Sequence, residues 1–181
     1  VYVRDLDCLG FHVIRDPRDI IVSGYFSHME SHPEDTWPRL RHYRKYLRTL
    51  SKEDGLVEEM KFSSEYLYHI YSWDYDNPLI IEKKFENLAA NSLEEFRNIF
   101  SHLKILPQLF SEAGLARVIE RNSFRTLSGG RSPGQENVQH HYRKGAAGDW
   151  KNHFSKRHKD LFKELYNPIL IKTGYEETAD W

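Results

Sequence analysis

Arg143, Lys144 and Gly145 stand side by side in YRKGAAGDWKNHF (142–154), ahead of a second glycine, an aspartate and a tryptophan. Arginine and lysine supply charge-assisted donors for a phosphate or a carboxylate. Glycine adopts backbone angles that other residues avoid and lets the main chain come close to a ligand. The three read as an anion seat on a loop, with a solvated basic turn as the competing reading. A second set lies near the start of the chain, where Arg15 follows the apolar run LGFHVI and Ser23 sits eight positions on, inside IIVSGYF. Taken alone, Arg15 suits a strand-end ion pair with Asp16 or Asp19, and Ser23 suits a bond back to its own helix.

These residues need elements to position them. The run LGFHVI (9–14) is short, apolar and closed by Arg15-Asp16-Pro17, which predicts a buried strand running into a helix. Asp16 is a good N-cap, Pro17 suits the first helical position, and Asp19 falls where a capping carboxylate belongs. The helix continues through IIVSGYFSHM. A strand feeding directly into a capped helix is the local unit of a parallel α/β sheet, whose ligands gather at the strands' C-terminal ends. PLIIEKKF (78–85) predicts a second strand.

The remaining helices are read from periodicity and caps. WPRLRHYRKYLRTL (37–50) predicts an exposed basic helix with a stripe through Leu40, Tyr43, Leu47 and Leu50, and residues 55–75 predict a more acidic helix. Ser92-Leu93-Glu94-Glu95 reads as a capping box, and Leu109 to Arg121 as a further helix. Gly, Ser, Pro and Asn crowd 128–137, so 128–153 is a long loop, before a last helix from Lys156 to Thr173 disturbed at Pro168. A loop of that length is functional or disordered, and Tyr142, Trp150 and Phe154 argue against disorder.

Composition bounds the rest. The 181 residues suffice for one domain, 1–181, with no composition break. One cysteine, Cys8, excludes an internal disulfide framework and fits a reducing, cytoplasmic setting. No apolar run reaches the length of a membrane span. A net charge of −1 is no footprint for a nucleic-acid binder. The charge is nonetheless uneven: Lys52 to Glu95 holds 4 basic and 11 acidic residues, whereas Arg125 to Lys163 holds 9 basic and 3 acidic. The positive stretch coincides with the RKG loop, which favours a compact anionic ligand there.

Three stretches in order carry a resemblance. IRDPRDIIVSGYFSH, a strand ending LIIEKKFENL, and NSFRTLSGG followed by YRKGAAGDWKNHF are similar to the PAPS-dependent sulfotransferases, which use 3′-phosphoadenosine 5′-phosphosulfate. The resemblance implies a P-loop-NTPase-like parallel sheet flanked by helices, and sulfuryl transfer from PAPS to a hydroxyl or amine of an acceptor. By that resemblance Arg15 and Ser23 bind the donor's 3′-phosphate, and Arg143, Lys144 and Gly145 close over the same phosphate. Phe124 sandwiches the adenine, and Asn122 and Ser123 give polar contacts to the nucleotide. Where the family has a tyrosine and two acids after the central strand, this chain has Phe85-Glu86-Asn87, which keeps base stacking and loses a phenol hydrogen bond. The family's glycine- and lysine-containing loop for the 5′-phosphosulfate and its catalytic histidine both precede the RDP strand. Only VYVRDLDCLGFHVI stands there, so the chain reads as N-terminally truncated, matching the C-terminal two thirds of such an enzyme. The alternative is a non-catalytic nucleotide-binding protein with the same 3′-phosphate site.

Other chemistry is weighed in the same way. His28 and His32 share a helix face, but HMESH displaces the glutamate of HExxH, and the expectation is no metal. His12 reads as a satisfied histidine, Trp150 and Phe154 as packing anchors, and Asp149 as a cap. Tyr66, Tyr68, Tyr71, Trp73 and Tyr75 could line a pocket for a small-molecule, lipid or carbohydrate acceptor, although aromatics on a helix are more often core. A homodimer fits the family, and no feature requires one.

Overall fold

A computed structural model of the chain describes residues 8–35, 37–106 and 111–181. Its contacts gather into two compact units: the chain up to Arg15 with Asp74–Gly130, and Asp16–Trp73 with Arg131–Trp181.

In the first unit, strands β1 (Gly10–Ile14) and β2 (Ile80–Lys84) pair in parallel, Gly10 opposite Ile80 and Ile14 opposite Lys84. A Cβ on Gly10 would come within 2.7 Å of Ile80 Cδ1, so a larger residue there would have to turn the end of that side chain aside. His12 lies opposite Glu82 in register, and its Nδ1 is 2.8 Å from the Glu82 carboxylate. Such directly opposed pairs are the unit of sheet stabilisation. The histidine is therefore satisfied, as its place on the strand suggested.

Helices α5 (Phe85–Ala90), α6 (Ser92–His102), α7 (Glu112–Arg121) and α8 (Phe124–Leu127) complete this unit, with Ile14, Leu88, Ile99 and Leu115 buried. Leu109 and Phe110, expected to begin the α7 helix, lie outside the described residues, and Ser111 caps it. The expected capping box does not form. Asn91 is the N-cap of α6, the Ser92 hydroxyl donates backward to Leu88 O at 2.7 Å, and Glu95 turns to Lys83 at 2.7 Å. With α5 ending one residue before, the hydroxyl meets a helix-end carbonyl, and the half-buried lysine competes for the carboxylate.

In the second unit, α1 (Pro17–Phe26) starts at the predicted cap: the Asp16 carboxylate accepts the Arg18 N–H at 2.9 Å. The helix passes into a π-turn, Ser27–Ser31, and stops at extended His32, as the following Pro33 requires. Next come α2 (Pro38–Leu47), α3 (Lys52–Phe62) and α4 (Ser64–Ser72). The single acidic helix expected over 55–75 is thus two. They divide at Ser63, whose hydroxyl donates to the buried Glu59 carboxylate at 2.8 Å. Helix α9 (Lys156–Lys172) runs through Pro168 without a break, because buried Asn167, Ile169 and Leu170 hold it on both sides of the proline. The core joins Ile21, Tyr25 and Leu56 to Trp150, Phe154 and Phe162, so both predicted anchors are core residues.

Gly55 of α3 faces Tyr25 so closely that a Cβ would lie 2.6 Å from its Cε2. Alanine would gain roughly 1 kcal/mol of helix propensity, but over-packing a buried ring costs about 1–3 kcal/mol. Gly55→Ala is expected to lower the urea midpoint at unchanged slope; a raised midpoint would show that the ring yields freely.

Candidate anion site

The described loop from Arg131 to Gly148 is folded back on itself by one guanidinium. Arg131 donates to the carbonyls of Gln135 (2.8 Å), Arg143 (2.7 Å) and Tyr142 (2.5 Å). Backbone bonds from Gly134 N to Lys144 O and from Asn137 N to Arg143 O, both 2.8 Å, close the same loop. Gly145 has φ 62° and Gly148 φ 75°, left-handed conformations that glycine adopts without a Cβ penalty. The chain then enters a 3₁₀ turn, Asp149–Asn152, held against α1: the Asp19 carboxylate accepts Gly148 N–H at 2.6 Å and Trp150 N–H at 2.8 Å. Asp19 therefore serves this distant turn, beyond the local capping role its position suggested.

The turn aims Asp149 back at the two cations. Its carboxylate takes Lys144 Nζ at 2.5 Å, Arg143 at 2.6 Å and Asn152 Nδ2 at 2.9 Å, with His153 Nε2 at 3.2 Å. Burial alone would raise its pKa. The hydrogen bonds from Lys144, Asn152 and Arg143, with the Arg143 charge, outweigh that and hold it well below the usual carboxylate range. Burial, and then the nearby Lys52 charge, lowers His153, whose Nδ1 lies 2.6 Å from the Lys52 amine. A neutral ring accepting from Lys52 and donating to Asp149 satisfies both contacts.

Arg143 also pairs with Glu136, and its guanidinium lies 4.3 Å from the Phe26 ring centroid. Glu136, Asp149 and His153 offer ligand atoms within 4.8 Å of one another, the spacing of a metal site. The Arg143 guanidinium bridges the two carboxylates, so the charge of this trio is balanced from within the chain.

The predicted site residues fall in the two units as follows. The second unit contains Ser23, half-buried on α1, and Arg143, Lys144 and Gly145 on the loop, and it brings the two cations onto one carboxylate. In the first unit Arg15 follows β1, with its guanidinium 5.0 Å from the centroid of Phe85, the first residue of α5. Arg15 Nε is buried and has no hydrogen-bond partner among the described residues. Asn122 and Ser123 have structural work: the Asn122 amide donates to Val118 O at 2.8 Å at the end of α7, and Ser123 caps α8, which Phe124 opens.

Sequence reading missed Asp149 as the partner of both cations, and Glu136 and Arg131 altogether. An acid five and six positions from Lys144 and Arg143, in an otherwise basic stretch, was the available signal for the first. Of the aromatic run, Tyr66, Tyr68 and Tyr71 are exposed, against the expectation that helix aromatics are core. Tyr68 and Tyr71 line a groove of about 390 Å³ with Leu165, Tyr166 and Pro168.

A parallel strand pair feeding a capped helix, with a glycine loop carrying convergent cations, defines an α/β protein of P-loop-like architecture. The sulfotransferase-domain family model matches residues 2–178, and the chain belongs to that family. Sulfotransferase 6B1 of Danio rerio is 27% identical over 164 residues, covering 89% of this chain and 51% of that protein. Human sulfotransferase 2A1 is 24% identical over 165 residues, covering 86% and 54%. The crystal structure of mouse sulfotransferase SULT7A1 complexed with PAP matches with a TM-score of 0.53 at 17% identity, over 90% of this chain and 58% of that one, and shows the shared fold. The chain spans about half the length of these curated relatives. No helix among the described residues is long and apolar enough to cross a membrane.

Truncating Asp149 leaves partly buried Lys144 without its carboxylate and Arg143 with Glu136 alone. Asp149→Ala is expected to cost about 2–4 kcal/mol of stability near neutral pH. The sign in acid follows from the depressed folded pKa: the contribution is complete above the unfolded carboxylate value and is lost as pH falls toward the folded one. Wild type should therefore lose its advantage over the variant as acid is added. Parallel curves of stability against pH would show that Asp149 is not the titrating support.

Proposed function

We propose that this chain forms the 3′-phosphate-binding part of a PAPS-dependent sulfotransferase, a single domain over 1–181. The observation that carries the reading is the buried Arg15 Nε with no partner among the described residues. A buried donor left unmade costs free energy and calls for an acceptor. A second support is that Arg143 and Lys144 already converge on one carboxylate, so their donors are aimed at an oxyanion-sized target.

A phosphate monoester carries about −1.5 to −2 charges at neutral pH. Arg15, Arg143 and Lys144 supply the compensating charge, Ser23 adds a hydroxyl donor, and Gly145 offers its N–H without a side chain in the way. Phe124 and Phe85 provide aromatic faces for the adenine, and Asn122 and Ser123 polar edges. A nucleotide lacking the 3′-phosphate would leave the buried Arg15 Nε without an acceptor, which separates this donor from ATP. In the reaction an acceptor oxygen or nitrogen forms a bond to sulfur, the bond from sulfur to the donor's 5′-phosphate breaks, and the acceptor proton passes to a base. The residues of this chain bind and orient the donor, and positioning is itself a large part of the barrier reduction in group transfer. The acceptor is a small molecule bearing a hydroxyl or amine, free or on a lipid or carbohydrate. No metal has a role in this scheme.

The test is a calorimetric titration with adenosine 3′,5′-bisphosphate beside adenosine 5′-monophosphate. The 3′-phosphate should strengthen binding, and Arg15→Ala should weaken the bisphosphate about ten- to a hundredfold while leaving the monophosphate nearly unchanged. Equal affinities for the two nucleotides would overturn the reading.

A further inference from the structure

The two carboxylates on Arg143 are not equivalent. Asp149 is buried to 3% side-chain exposure and shared among several donors, whereas the Glu136 side chain is 36% exposed and meets Arg143 from the solvent side. The Glu136 contact is nevertheless set by the backbone. Gly134 N to Lys144 O, Asn137 N to Arg143 O, and Arg131 on three carbonyls fold residues 134–144 so that Glu136 comes opposite Arg143. Glu136 is an exposed carboxylate that the fold delivers to a guanidinium already served by Asp149.

We propose that Glu136 is a built-in competitor for the anion seat, holding Arg143 while no phosphate is bound and displaced by the 3′-phosphate on donor binding. The proposal rests on the phosphate-binding reading above. Exposed ion pairs are weak, so a dianionic phosphate able to take two guanidinium N–H groups at once exchanges for Glu136 readily. The buried Asp149 stays as the floor that keeps Arg143 and Lys144 in place. The competition raises the threshold for entry: a weakly charged ligand does not displace the carboxylate, and the donor's apparent affinity is reduced by the share of molecules in the paired state.

The test titrates adenosine 3′,5′-bisphosphate into the 181-residue chain and its Glu136→Gln, Glu136→Ala, Arg143→Ala and Glu136→Gln/Arg143→Ala variants, each first shown by its melting curve to be folded at the titration temperature. Both Glu136 variants should bind about two- to fivefold more tightly than wild type, with the gain shrinking as salt is raised. The gain should vanish when Arg143 is alanine. If the Glu136 variants bind equally or more weakly while Arg143→Ala still weakens binding, Glu136 is no competitor and the phosphate clamp survives alone. If Arg143→Ala leaves the bisphosphate affinity unchanged, or no protein binds it, the clamp itself fails and the competitor with it.

Discussion

A buried carboxylate on the first helix carries the arrangement of the loop. Asp19 accepts the Gly148 and Trp150 N–H groups, and a carboxylate so thoroughly removed from water persists only when its lone pairs are used. Those two bonds straddle Asp149. They fix the peptide units on either side of it, so the Asp149 side chain projects toward Lys144 and Arg143 while Trp150 drops into the core beside Phe154. The Trp150 ring then stacks on the Arg18 guanidinium, 4.0 Å from its centroid, and Arg18 forks onto Asp16 with bonds of 2.9 and 2.8 Å. The residue that caps α1 therefore also anchors the arginine under the tryptophan, and helix start, loop and core are one connected network.

That network explains how a glycine-rich loop holds cations in place. Flexible surface lysines and arginines give up rotamer freedom for every ordered contact. Here the cost falls mainly on the backbone, which Arg131 ties together through three carbonyls, and on Asp149, which fixes the charged heads. The Arg143 guanidinium is further confined by the Phe26 ring. Donors ordered before a ligand arrives lose less on binding, which is the general advantage of preorganisation.

The legible parts were those written locally. Asp16-Pro17 after an apolar run encodes a strand, a cap and a helix, and the structure has them at Gly10–Ile14, Asp16 and Pro17–Phe26; the strand expected to be buried instead leaves Phe11 and Val13 exposed. Ser92-Leu93-Glu94-Glu95 shows the limit of such reading: the pattern is present, but Ser92 bonds Leu88 O and Glu95 pairs with Lys83 in place of the backbone groups the box would satisfy. The break at Ser63 has the same origin, since the hydroxyl that ends α3 answers to a buried glutamate that also binds His28 and Tyr43. The π-turn after α1 places His28 for that bond, and no local propensity announces it. Among the site residues, the cations were legible by type and order. Their acidic partners were not, because a carboxylate's charge is visible in sequence while the group it faces depends on the fold.

Phe85 departs from the family's pattern and keeps an aromatic contact to Arg15. The Arg15 guanidinium meets the Phe85 ring with its carbon 5.0 Å from the centroid, a contact that draws on the ring's quadrupole and needs no hydroxyl. A guanidinium lying flat on a ring uses its face for that contact, whereas oxyanions are bound in its plane, through the N–H fork. A ring at this position can therefore steady the arginine without consuming the donors that a phosphate would use. Arg15 Nε is buried as well, and a donor removed from water raises the value of an acceptor placed against it. In the phosphate-binding reading proposed above, phenylalanine at residue 85 thus forgoes a hydroxyl hydrogen bond and keeps the aromatic contact to Arg15.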